Sequence, residues 1–413
     1  MRIRTALTSA LAAMIVAGSM IGATLAIAQE KPAADPAARS HLRAAIGQML
    51  VIGFRGTTTN SKSFQRVVAQ AQAGEISGVI WFGRNVTDRG AITAMNRELR
   101  RAAGDSFLVA IDQEGGRIER LTAAVGFPEI PSARTIARGD DRQALARYTE
   151  LGSKLHDWGF NLNLGPVVDL DSNPSNPIIG RLGRSYSADP ATVTRYAIAF
   201  VSGHRDAGVL TALKHFPGHG SSTNDSHKGA VDVSRTWNDK ELAPYRDMND
   251  LGYADIVMTA HVINRGLSGD SRPATLSKAV LTDVLRNKIG FRGVIMTDDL
   301  QMGALDRYGD SSQRAIAAVR AGADLLVFAN DRTYEPEIAA KVTASLLDAA
   351  SGDAALAARI LDAAKRINAM KARLPAGGLD TVETRSIRPV VSGPLMTPAL
   401  MASMQRDVRL AVE

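Results

Sequence analysis

Reactive side chains in this sequence crowd into a few short strings. One is Ile111-Asp112-Gln113-Glu114-Gly115-Gly116-Arg117-Ile118-Glu119-Arg120. Another is Lys214-His215-Phe216-Pro217-Gly218-His219-Gly220, followed closely by Asn224-Asp225-Ser226-His227; a third is Met296-Thr297-Asp298-Asp299. Four of the seven histidines, His215, His219, His227 and His261, lie in this zone. Asp298 directly ends an apolar Val-Ile-Met-Thr run. A carboxylate there either points into the mouth of a barrel or caps a following helix. Two carboxylates stand side by side, so both roles can be filled: Asp298 is assigned to the pocket and Asp299 to support. His227 lies two residues from Asp225, close enough for the carboxylate to select one tautomer and make the imidazole a general acid/base. A surface turn with an incidental histidine is the competing reading. The Gly218-His-Gly-Ser-Ser stretch suits a loop that closes over substrate.

Arg120, Arg184 and Lys214 are donors only. With Asp112 and His215 they would form a pocket that reads hydroxyl groups, because neighbouring sugar hydroxyls need both donors and acceptors. Taken singly, each basic residue reads first as a surface ion pair. A metal site is disfavoured: His215, His219, Asp225 and His227 lack the helical His-x-x-x-His spacing, Pro217 and Gly218 break any helix there, and Lys214 repels a cation. No metal or cofactor is expected.

Elements that could position these groups follow from the hydrophobic pattern. Eight short apolar runs rich in Val, Ile and Leu occur at 49–54, 78–82, 107–112, 161–167, 210–216, 255–261, 293–298 and 324–328. Continuous apolar runs of this length are what parallel strands buried on both faces require. Between them, apolar residues at three- and four-residue spacing predict helices at 91–103, 142–158, 190–207, 239–251, 277–288, 312–321 and 335–350. Gly74, Gly159, Gly208, Gly252, Gly290 and Gly322 fall where helices should end before strands. Strand and helix alternating eight times imply a single α/β fold, a (β/α)8 barrel. The main rival, a doubly wound open sheet, normally carries a glycine-rich turn after its first strand, and Gly53-Phe-Arg-Gly56 is a poor match. The expected organisation is a leader (1–28), a small-residue linker (29–45), the barrel (46–374) with a closing helix at 354–374, and a tail (375–413) with a short helix at 398–412.

Compartment and partners follow from composition. Met1-Arg-Ile-Arg4 precedes a charge-free stretch of apolar and small residues ending Ala26-Ile27-Ala28, the pattern of a cleaved signal peptide. The protein is therefore expected to be exported, periplasmic or secreted, with no stable membrane insertion after cleavage. There are no cysteines, which excludes thiol catalysis and cysteine metal sites. The formal charge of +7 suits a polyanionic surface such as a cell wall. Its basic residues are scattered and lack an aromatic stacking pattern, against nucleic-acid binding. Oligomeric state is not legible.

At this point the strings resemble a known family. Lys214-His215-Phe-Pro-Gly-His-Gly followed by Asp225-Ser-His227 is similar to the signature of family 3 glycoside hydrolases, in its β-N-acetylglucosaminidase (NagZ-type) branch. Ile111-Asp-Gln-Glu-Gly-Gly-Arg117, Gly183-Arg184-Ser-Tyr and Thr297-Asp298-Asp-Leu-Gln-Met302 agree and occur in the family's order, across roughly residues 46–374. The resemblance implies an exo-acting, retaining β-N-acetylglucosaminidase (a β-N-acetylhexosaminidase) that hydrolyses terminal N-acetylglucosamine from peptidoglycan fragments or chitin oligosaccharides. In it Asp298 is the nucleophile, His227 the acid/base and Asp225 its partner, while Asp112, Arg120, Arg184, Lys214 and His215 hold the terminal sugar. A neutral imidazole base tolerates phosphate as acceptor, so a phosphorylase is the alternative enzyme; a non-catalytic wall-sugar-binding protein is the alternative outside catalysis. The family often has Phe where Tyr186 stands.

Overall fold

The computed structural model describes residues 36–375. The leader (1–28), nearly all of the tail and the expected helix at 398–412 lie outside the described residues. Among the described residues ten strands follow in chain order: β1 (Leu50–Gly53), β2 (Gly78–Trp81), β3 (Leu108–Ile111), β4 (Leu162–Asn163), β5 (Leu210–Phe216), β6 (Val231–Asp232), β7 (Ile256–Thr259), β8 (Val262–Ile263), β9 (Val294–Asp299) and β10 (Leu325–Phe328). Eight of them close into a barrel in the order β1, β2, β3, β4, β5, β7, β9, β10 and back to β1, every pairing parallel. This is the expected (β/α)8 barrel. β6 and β8 pair with each other outside it.

Most barrel strands are runs of buried apolar residues because helices cover their outer faces and side chains fill their inner ones. Trp81 of β2 packs edge-on against Phe54 and Phe160, with centroids 5.3 and 5.7 Å away. Helices run over Arg89–Ala103, Asp141–Asp157, Pro190–Asp206, Ala243–Asp250, Ser311–Ala321, Ile338–Ala350 and Ala354–Lys371, each close to its expected span. The six glycines expected at helix ends all have positive φ, from 69° to 121°.

Two segments differ from expectation. Residues 36–45, read as linker, belong to a helix, Pro36–Gln48, that buries Ala45 and Ile46. Alanine is the best helix former and proline is tolerated in a first turn, so Pro36-Ala-Ala starts a helix rather than a spacer. The helix Lys62–Gln72 was not anticipated, although Phe64, Val67 and Ala71 form its buried stripe. The 277–288 segment is helical, but residues Ala279–Lys288 are wound with π-type bonding.

Local irregularities aim the polar residues. β4 is only two residues long, and Pro166 beyond it has no amide to donate. The chain stays beside β5 through Ala212 N–H to Gly165 O (2.8 Å), Lys214 N–H to Pro166 O (3.1 Å) and Val168 N–H to Lys214 O (2.8 Å), which delivers Asp169 to the barrel mouth. The β5–β7 register shifts between Leu213 and Phe216, and the β9–β10 register between Leu325 and Val327. Consecutive strand residues normally face opposite sides; at these shifts Lys214 and His215, and Asp298 and Asp299, all line one cavity.

Candidate active site

The cavity, of about 680 Å³, opens at the carboxyl ends of the barrel strands. Asp112, Arg120, Arg184, Lys214, His215, His227 and Asp298 all line it. Asp225 stands behind, bonded to His227. The sequence strings, more than 180 residues apart between Asp112 and Asp298, thus meet in one place because a barrel gathers strand ends.

One wall is a buried charge cluster. Lys214 Nζ lies 2.8 Å from Asp112 Oδ1 and 2.6 Å from Glu114 Oε1. Arg184 grips Glu114 with Nε and Nη2, both at 2.8 Å, and donates through Nη1 to Ile178 O at 2.8 Å. Arg120 reaches Asp112 Oδ2 at 3.2 Å. Burial alone would raise both carboxyls, but Lys214 and Arg120 hold Asp112, and Arg184 and Lys214 hold Glu114, well below the ordinary carboxylate range. Both are therefore ionised acceptors beside fixed donors, which is what reading a set of hydroxyls demands.

His215 is held from behind. Its Nδ1–H donates to Asp169 Oδ2 at 2.7 Å, leaving Nε2 to accept from Arg184 Nη2 at 3.3 Å. Asp169 also accepts the amides of His215 (3.2 Å) and His219 (2.7 Å). Beneath this loop Glu241 accepts from Leu170 N–H and Ser172 Oγ, each at 3.1 Å. Burial pushes the Glu241 carboxyl up to about 8, with the nearby Asp169 charge adding to the rise.

Opposite stand Asp298 and His227. Asp298 accepts the Asp299 amide at 2.8 Å. Burial would raise its carboxyl, but His261, His215 and His227 facing it hold it below the ordinary range; it is an anion at neutral pH, as a nucleophile must be. Asp299 does the supporting work: its Oδ1 accepts Gln301 N–H (3.0 Å) and Ala329 N–H (2.9 Å), tying β9 to the end of β10. His261 donates from Nε2 to the Asp299 carbonyl at 2.9 Å and meets Thr275 Oγ at Nδ1, 2.8 Å away. His227 sits on the loop between β5 and β6. Asp225 Oδ1 accepts both its Nδ1–H (2.7 Å) and its amide (2.9 Å), while 62% of the side chain remains exposed. Asp225 is held below the ordinary range: burial opposes this, and the His227 amide and ring outweigh it. The loop is tethered by Asn176 Nδ2 to His219 O (2.8 Å) and Gly220 O (3.0 Å), and by Asn173 Nδ2 to Ser222 O (2.8 Å).

Residues 41–370 match the model of the glycosyl hydrolase family 3 N-terminal domain. The chain belongs to glycoside hydrolase family 3. As a family 3 glycoside hydrolase it is similar to a β-hexosaminidase of Tolumonas auensis, 39% identical over 264 residues that span 62% of this chain and 76% of that one. Its fold is similar to that of the β-N-acetylhexosaminidase of Beutenbergia cavernae (TM-score 0.73, 33% identity, 80% of this chain and 98% of that one). It is also similar to NagZ of Neisseria gonorrhoeae solved with N-trifluoroacetyl-D-glucosamine (TM-score 0.67, 28% identity, 82% and 94%).

In this family 3 hydrolase several residues join the site that sequence reasoning did not assign to it. Glu114 stands two positions after Asp112, the spacing that returns a side chain to the same side of an extended chain, so a signal was present. Asp169 stands two residues past the fourth apolar run, a weaker form of the signal by which Asp298 ends the seventh. Glu241 has no local signal; it becomes relevant only through contacts made by the fold. Tyr186, where the family often has Phe, buries its extra hydroxyl against Tyr148 OH at 2.8 Å, which satisfies both polar atoms.

Proposed function

We propose that this protein is an exo-acting, retaining β-N-acetylhexosaminidase, removing terminal β-linked N-acetylglucosamine from peptidoglycan fragments or chitin oligosaccharides outside the cytoplasm, after loss of its leader. The observation that carries this reading is one cavity shared by an anionic Asp298 on a strand end and a His227 ring whose Nδ1 is occupied by Asp225. That leaves Nε2 as the atom that gives and takes the proton. In the first displacement an Asp298 oxygen bonds to the anomeric carbon, the bond to the leaving oxygen breaks, and that oxygen takes the Nε2 proton. In the second, water attacks the same carbon, Nε2 takes a proton from it, and the ester to Asp298 breaks. Two inversions restore the β configuration. The imidazole fills the place usually held by a second carboxylate. The Asp112–Glu114–Lys214–Arg184 cluster and His215 fix the terminal sugar through its hydroxyls. The β-hexosaminidase names of the relatives and the N-acyl glucosamine in the gonococcal structure support the acetamido sugar.

The test is hydrolysis of an aryl β-N-acetylglucosaminide against the matching β-glucoside by the mature protein, with and without phosphate, alongside Asp298→Asn. The expected result is release from the acetamido substrate alone, indifferent to phosphate, and lost in the folded variant. Preference for the glucoside, phosphate dependence with a sugar 1-phosphate product, or an active Asp298→Asn protein would each overturn the proposal.

A further inference from the structure

We infer that Gly303, outside the cavity, is a positioning residue that sets where His227 stands over Asp298. The loop bearing His227 rests on the chain that leaves β9. Gly303 N–H donates to the His227 carbonyl at 3.3 Å, and Ala304 N–H to the Ser226 carbonyl at 3.2 Å. Gly303 is buried. A Cβ built on it would lie 2.8 Å from the His227 carbonyl oxygen and 3.0 Å from the Lys228 carbonyl carbon. Gly303 is not among the glycines with positive φ, so space, not backbone conformation, excludes a side chain there. The support beneath is firm: Met302 N–H donates to Asp299 O at 3.1 Å and Leu300 N–H to Val327 O at 3.0 Å, tying this segment to the strand ends. From the other side Ser226 Oγ meets His219 Nε2 at 3.2 Å. With the His227 ring largely in solvent, these main-chain contacts, and not packing of the ring, fix its height above the nucleophile.

The inference rests on the reading of His227 as the acid/base, and the test separates the two. Gly303→Ala and Gly303→Val are compared with the parent and with His227→Ala, reading kcat/KM on a poorly activated substrate (a methyl β-N-acetylglucosaminide) and on the 2,4-dinitrophenyl glycoside, with melting temperature alongside. The dinitrophenolate leaves without protonation, so its kcat/KM is blind to the acid. Displacing the loop by part of an ångström is expected to lower kcat/KM on the methyl glycoside by roughly ten- to a hundred-fold in Gly303→Ala, and further in Gly303→Val. The dinitrophenyl value should fall by less than about threefold. Equal losses on both substrates, or no loss on the methyl glycoside, would overturn the role of Gly303. If His227→Ala itself shows no such leaving-group dependence, the acid/base reading fails and takes the inference with it.

Discussion

Glu114→Gln removes one charge from the centre of the buried cluster while keeping its shape. The carboxylate it replaces receives two bonds from Arg184 and one contact from Lys214, all between side chains less than a tenth exposed. The fold holds Glu114 at about 2 against an ordinary 4.5; that gap corresponds to about 3 kcal/mol in favour of the ionised folded form. Breaking a buried pair by removing one partner independently suggests about 3–5 kcal/mol, because the cations left behind stay desolvated. At roughly 2 cal/mol/K per residue over a barrel of this size, 3 kcal/mol corresponds to about 4 °C of melting temperature. The sign with pH follows from the depressed value. Stability from this group is complete above about pH 4.5 and disappears as pH falls toward about 2, so the difference between parent and variant should shrink across that interval. The assay is thermal unfolding of both proteins from pH 7 down to the lowest pH at which they refold, with KM for the aryl acetamido substrate at pH 7. A variant melting within 1 °C of the parent at pH 7, or a difference that stays constant down to pH 3, would refute the electrostatic account of the cluster.

Asp225→Asn keeps the size of the side chain behind His227 but not its charge. It should cut kcat/KM on unactivated glycosides by about a hundred-fold, the low end for general acid/base catalysis, with the melting temperature nearly unchanged because the dyad is partly exposed; parent-like rates would remove Asp225 from the mechanism. Asp324 lies at the start of β10, at the end of the barrel away from the site, where it accepts from Arg286, Arg359 and the Ile295 amide. Asp324→Ala should lower unfolding free energy in urea by about 3–5 kcal/mol while leaving KM unchanged at a temperature where the variant is folded; a shift in KM would mean the two ends of the barrel communicate.

The barrel was legible because its strands are read by continuity of apolar residues and its helices by three- and four-residue spacing, patterns dictated locally by what each face touches. The two departures are local: Pro36-Ala-Ala has the composition of a spacer but starts a helix, and the Lys62–Gln72 helix buries a stripe of only Phe64, Val67 and Ala71 among its apolar residues. Site residues were legible where a polar group directly ended an apolar run. The residues behind them were not, because their value is created by distant contacts. Asp169 meets His215 across 46 positions and Glu241 meets Leu170 across 71. Nor does any rule of alternation predict that Lys214 and His215 share a cavity; that depends on a register shift that only the assembled barrel displays.

The buried cluster sets two carboxylates, Asp112 and Glu114, against Lys214 and Arg184, with Arg120 reaching Asp112 as a third cation. Both carboxylates are paired before any ligand arrives, so an uncharged ligand would meet donors and acceptors already held in place. Such a block is also hard to alter piecemeal. A lone change of sign at any of the four positions strands a buried charge, so drift in a lineage carrying this pocket should proceed by paired replacements or none. The four positions therefore behave as one unit, whereas the loop carrying His227 is held through its own carbonyls, by Asn173, Asn176, Gly303 and Ala304.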